Sequence, residues 1–289
     1  MQNSCAKNML FLSLCVSLVV SSCADIESPC EPLNKNGAHG KGARIVSWSF
    51  DDFMDVSTTI VADGSGMWAG SKAGGLIGAT LGPKGALFGG VVGAIIGGGT
   101  ASWGTARGLR PLLVGPSTPS TWTTNSPYNS MPNTSDSVGY LHNELVKYLT
   151  SNAVLNNDGT IDHTQFYTLS VAFLSNRGYD SVSYYFPYSS FYSVSSTYTS
   201  IESMSAIKSY LSSTYGSTNA VEVAYWSDLC DSLSTLAASN PSQAAVSSLI
   251  SSFESGVSNL SISAERKEYL RIGLRGARWS YALWEGNVF

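Results

Sequence analysis

The feature that most constrains this chain is a ladder of glycines. They fall at Gly66, Gly70, Gly74, Gly78 and Gly82, and then at Gly85, Gly89, Gly93 and Gly97. Residues four apart share one face of a helix, so each block presents a groove free of side chains. Gly82-Pro83-Lys84-Gly85 interrupts the ladder once, as a helix stop followed by a turn. The spacing predicts a hairpin of two helices, 67–81 and 86–103, packed backbone to backbone.

Such a hairpin needs an environment that enforces helix. The stretch 66–99 holds thirteen glycines, which together cost on the order of 10 kcal/mol of helix propensity against alanine. In hydrocarbon an unpaired backbone group costs several kcal/mol, so helix is imposed there. The expectation is therefore association with a membrane, the alternatives being a hairpin buried in a soluble domain or a linker. Helices of these lengths reach about 22 and 27 Å, which suits a thin outer membrane. Trp68 and Trp103 open and close the hairpin and are expected together at one interface, as aromatic belts are. Lys84 is expected at the opposite end, and Lys72 is expected to snorkel toward the interface of Trp68.

The N-terminus carries a second membrane signal. Met9 to Val20 is an apolar run of 12 residues, the length of a signal-peptide core rather than of a span. It ends in Val20-Ser21-Ser22-Cys23, which resembles the lipobox of bacterial lipoproteins. The resemblance implies removal of residues 1–22 and acylation, palmitate included, of Cys23. The new N-terminus is then held by two or three chains, and each buried methylene contributes about 0.8 kcal/mol. Ala24, rather than Asp, follows the cysteine, which by the same resemblance favours the outer membrane. The glycine ladder resembles the zipper segments of small outer-membrane lipoproteins of the 17-kDa surface-antigen type. It is also similar to the helices of pore-forming class II bacteriocins, although no double-glycine leader is present. Val138-Gly139-x-x-His142-Asn143 is similar to a helix opening in uncharacterised bacterial surface lipoproteins.

The remainder reads as helical. Five of the ten prolines lie between Pro111 and Pro132, predicting a linker over 109–137. Beyond it, 138–289 is expected to form an all-α domain. Val138, Leu141, Leu145 and Tyr148 are spaced for one helix, and Asp162-x-x-Gln165 caps another that Gly178 closes. Thr199-x-x-Glu202 is expected to open a third, 219–238 to form a fourth, Asn240-Pro241 to begin a fifth and 263–284 to form the last. The stretch 181–200, with eight serines and five tyrosines, is read as a loop or short strands. The expected organisation is thus a signal peptide (1–22), an anchored tether with a short helix (23–62), the zipper hairpin (63–108), the linker and the helical domain.

Catalytic signatures are missing. Three histidines in no metal-binding spacing predict no metal centre, and there is no nucleophile elbow or phosphate loop. Asn156-Asn157-Asp158-Gly159 lacks acids at both ends of a calcium loop and reads as a turn. No enzyme activity, cofactor or small-molecule substrate is therefore expected. A net charge of −4 excludes a general attraction to nucleic acid. Arg271, Arg275 and Arg278 share a face of the last helix, beside Tyr269, Trp279, Tyr281 and Trp284. That face either meets anionic headgroups or is a solvated face whose aromatic side packs on the domain. Cys30 and Cys230 are the two cysteines left to pair or stay free. The reading is of a lipid-anchored envelope protein, with membrane lipid and zipper-mediated self-association as its interactions; the alternative is a secreted pore-forming antibacterial protein.

Overall fold

The computed structural model describes residues 50–105, 135–152, 161–239 and 241–288. Cys23, Cys30, the signal peptide, the calcium-loop-like turn and most of the linker lie outside the described residues. The glycine hairpin is present as α1 (Phe50–Ala79) and α2 (Pro83–Thr105). Both helices exceed their predicted length. The short helix expected before residue 63 is simply the start of α1, where Phe53, Val56, Ile60 and Val61 are core residues.

Eight further helices follow: α3 (Ser135–Ser151), α4 (His163–Ser175), α5 (Val182–Tyr185), α6 (Tyr188–Tyr198), α7 (Met204–Tyr215), α8 (Ala220–Ala237), α9 (Gln243–Gly256) and α10 (Ala264–Val288). Among the described residues there is no strand, and the fold is mainly α. Asp162 caps α4 as expected, accepting from the Gln165 N–H at 2.9 Å, and Gly178 turns the chain after it at a φ of +83°. Two other caps differ from expectation. Ser203, not Thr199, opens α7, and Ser242, just past Pro241, opens α9. In both cases the serine accepts from the N–H three residues on, while Thr199 is spent ending α6.

The stretch read as loop or strand is α5 and α6. Its serines carry little helix propensity, but Phe191, Val194 and Tyr198 recur on one face and are buried, so tertiary packing decides.

The hairpin and the helical domain, expected as separate units, form one unit from Ser47 to Phe289. α2 is the reason. It is apolar all round, and seventeen of its residues are buried, so it has to be covered on every side. α10 packs along α1, α3 on α2 and α10, α6 along α2, and α8 across α1. The glycine-rich pair is the spine of the domain.

Candidate functional site

The two glycine ladders face each other. Gly66 lies opposite Gly97, Gly70 opposite Gly93, Gly74 opposite Gly89 and Gly78 opposite Gly85. A methyl built on Gly74 would fall 2.0 Å from the Gly89 carbonyl oxygen, and one on Gly70 would fall 2.1 Å from that of Gly93. Only backbone against backbone fits there. Gly82 belongs to the turn instead: at φ +90° it meets nothing within 4 Å, so it serves by conformation rather than by packing. The ladders pack against each other within the chain, the same faces through which self-association was expected.

Glycines outside the ladder extend the same packing. A methyl on Gly64 or on Gly273 of α10 would each strike the other's carbonyl, at 2.7 and 2.6 Å. Gly273 and Gly276, small residues three apart inside an arginine-rich helix, carry the sequence signal of this close crossing.

Trp68 and Trp103 are not interface markers in this fold. Trp68 is fully buried and meets Tyr215 edge-on at 5.0 Å, and Trp103 is core. An aromatic ring near a helix end fits a protein core as well as a lipid belt, and here the wrapping helices supply the core. Nor does Lys72 snorkel. It is half-buried, donates to Asn219 Oδ1 and lies over the rings of Trp68 (4.8 Å) and Tyr215 (4.9 Å). Burial pulls its pKa below the usual lysine value; Glu222 opposes that and Arg266 adds to it. Asn219 donates in turn to Glu222, which is fully buried and held by the Nε and Nη2 of Arg266. These contacts bolt α1 to α8 and α10.

The basic face is also engaged. Arg275 and Arg278 both pair with Glu254 of α9, and Arg271 with Glu268 at 3.6 Å. Tyr281 is buried, and Arg275 and Arg278 join α10 to α9, while Arg271 pairs within α10.

One buried cluster has the residue types of a catalytic triad without its geometry. His142 Nε2 lies 3.4 Å from Asp63 Oδ2 and also 3.4 Å from Ser102 Oγ, while Ser280 donates to the same Asp63 oxygen. A relay needs the acid and the hydroxyl on opposite ring nitrogens; here one nitrogen faces both. All four side chains are closed off from solvent, and the cluster is a polar pin between α1, α2, α3 and α10. Cys230 is a buried thiol whose pKa is pushed up to about 12 by burial. Among the described residues no group of acids, histidines and cysteines could hold a metal ion.

What the wrapping helices leave bare is the hairpin's end. Leu76, Leu81 and Leu87 are 76%, 55% and 44% exposed. Ala79, Thr80, Pro83 and Lys84 are exposed between them, so Lys84 does mark the tip. The cover stops about one turn further in. There Tyr269 of α10 lies against Gly75 and Gly90, and Phe88 meets Tyr179 and Tyr185. No family model, curated protein or solved structure matches this chain.

Proposed function

We propose that this chain is a lipid-anchored protein of the bacterial cell envelope, held at the outer membrane by an acylated Cys23, whose hairpin tip enters that membrane and whose helical domain serves interactions above it. The observation that carries the reading is the apolar tip: three leucines stand exposed at the turn end of a hairpin whose apolar side chains are otherwise largely covered. Burying them in lipid gains on the order of 3–5 kcal/mol, at about 1.5–3 kcal/mol per fully buried leucine side chain. That is marginal alone and sufficient beside an acyl anchor. Phe88 lies six residues from Gly82, so the free tip is about 9 Å deep. That reach matches the headgroup–acyl boundary rather than a span.

The test is palmitate labelling and fractionation in a bacterial host, comparing wild type, Cys23→Ala and Cys23→Ala with Leu76→Ser, Leu81→Ser and Leu87→Ser. The label should vanish in Cys23→Ala. Residual membrane association should persist in that variant and be lost in the quadruple one. Labelling that survives Cys23→Ala overturns the anchor, and association indifferent to the leucines overturns the tip.

A second reading, a pore-forming protein released from its producer, is favoured by α2. Among the described residues it is the one helix long and apolar enough to cross a membrane, and it is packed away inside the protein. That reading predicts leakage of dye-loaded vesicles on addition of the purified chain, whereas the anchored reading predicts none.

A further inference from the structure

We infer that the serine- and tyrosine-rich turn and helices α5 and α6 form a second lipid-contacting surface, a tyrosine fringe lying at the headgroups of the bilayer that the hairpin tip enters. The inference rests on the tip reading and assigns the surface around it.

Exposure is the first argument. Seven large hydrophobic or aromatic side chains are exposed among the described residues: Leu76, Leu81 and Leu87 of the tip, Tyr184, Tyr188 and Tyr192, and Val221. Six of the seven therefore belong to the tip or to α5 and α6.

Position is the second. Phe88, directly after Leu87, touches Tyr185 at 4.9 Å and Tyr179 at 5.5 Å, and Tyr184 meets Tyr185 edge-on at 5.6 Å. The tyrosines thus stand where the exposed part of the hairpin ends. α6 then runs back along α2, so that the Tyr198 carbonyl lies against Gly104 at the far end. Tyr188 and Tyr192, with ring centres 6.0 Å apart, lie successively further from the tip.

Chemistry is the third. A tyrosine ring presents an apolar body and a hydroxyl that keeps a polar partner, which suits the boundary between acyl chains and water. Between Gly178 and Ile201 the one carboxylate is Asp180, and there is no lysine or arginine. The tyrosine surface itself therefore offers no cation for anionic lipid to select. The occupant is accordingly a zwitterionic lipid surface.

Reach is the fourth argument. Twenty-six residues separate Cys23 from Phe50, and such a chain extends to at most about 90 Å. α1 has 30 residues and is about 45 Å long. An anchor at Cys23 can therefore present the tip to its own membrane from any attachment point on the domain.

The test places a fluorophore on single cysteines in the acylated full chain carrying Cys30→Ser and Cys230→Ala, reconstituted in phosphatidylcholine–phosphatidylethanolamine vesicles. The positions are Leu81→Cys, Tyr184→Cys and Ser239→Cys. Ser239 follows the end of α8, beyond Trp226, which already lies at the level of Gly64. Lipids with a nitroxide on the headgroup should quench the label at 184, mid-chain nitroxides the label at 81, and neither the label at 239. Quenching at 81 with none at 184 overturns the fringe and leaves the tip standing. Quenching at neither overturns both. A blue shift at 184 that needs no vesicles and grows with protein concentration assigns the surface to a second copy and also overturns the fringe. As an independent measure, Tyr184→Ser with Tyr188→Ser in the Cys23→Ala chain should lower vesicle partitioning on the order of tenfold, whereas Tyr184→Phe with Tyr188→Phe retains most of it. Equal partitioning of the serine variant and its parent refutes the proposal, with circular dichroism checking that both are folded.

Discussion

Substituting Gly74 and Gly90 by alanine separates backbone packing from helix propensity, because the two glycines lie on the same hairpin in opposite environments. Alanine in place of glycine within a helix gains about 1 kcal/mol wherever the methyl has room. At Gly90 it has room: the nearest atoms, the Ser71 carbonyl oxygen and Tyr269 Cε1, would both be 3.5 Å away, an ordinary contact. At Gly74 the methyl would fall 2.0 Å from the Gly89 oxygen and 2.8 Å from its carbonyl carbon. Both are backbone atoms that no rotamer change can move. The helices must part by roughly an ångström, and at that gap each neighbouring rung loses a quarter to a half of its dispersion attraction. Overpacking of this kind costs about 1–3 kcal/mol or more. Set against the propensity gain, Gly74→Ala should destabilise by about 2 kcal/mol, and Gly90→Ala should stabilise by up to about 1 kcal/mol. For a domain of this size 1 kcal/mol moves Tm by about 2–4 °C, so thermal melts followed by circular dichroism should shift in opposite directions. If Gly74→Ala melts at or above the wild-type temperature, the glycine faces are not in backbone contact.

Three further expectations follow from particular contacts. Gly82→Ala meets no atom, so its cost is the positive φ alone, about 1 kcal/mol; a larger loss in a denaturant melt means that the turn packs more tightly than it does here. Arg266→Ala leaves the fully buried Glu222 carboxylate without its cation and should cost about 2–4 kcal/mol, discounted for the partial exposure of the arginine; Glu222→Gln with Arg266→Met, which removes both charges, should recover part of it in the same melts. Burial raises the pKa values of Tyr198, Tyr210 and Tyr215, so the fold holds them neutral where the unfolded chain ionises. Their contribution is complete below pH 10 and is lost as pH rises above it, at about 1.4 kcal/mol per pH unit for each tyrosine; phenolate absorbance should therefore rise cooperatively with alkaline unfolding, and smooth titration of all tyrosines in the folded protein would contradict their burial.

Local periodicity made the hairpin, the Asp162 cap and the extent of α8 legible in the sequence. A four-residue spacing specifies a face, and a cap needs only the next three residues. What the same spacing leaves open is the medium that fills the face opposite. Trp68 against Tyr215 and Trp68 against lipid demand the same residue, and the deciding partner lies far along the chain. Lys72 reaches Asn219, and Arg275 reaches Glu254, through contacts that only the assembled fold creates. The fringe was obscured for another reason. Its tyrosines and serines have neither strand alternation nor strong helix propensity, and α6 exists because Phe191, Val194 and Tyr198 pack on the hairpin.

The glycine ladder also accounts for why the tip protrudes so little. Two helices in backbone contact make a slender spine, and a slender apolar spine can be enclosed by the helices of a single domain. Enclosure is secured at several points: Gly64 against Gly273, Lys72 and Arg266 through Asn219 and Glu222, and Ser280 on Asp63. Each of these lies on α1 behind Leu76 or ties down the helices that cover it, whereas among the described residues no ion pair or side-chain hydrogen bond joins residues 76–87 to a wrapping helix. The attachment therefore ends where the apolar exposure begins. A hairpin that crossed the bilayer would have to break all of these contacts and expose the faces of α3, α8 and α10 that now cover it. Shallow entry by the tip, the arrangement proposed above, breaks none of them.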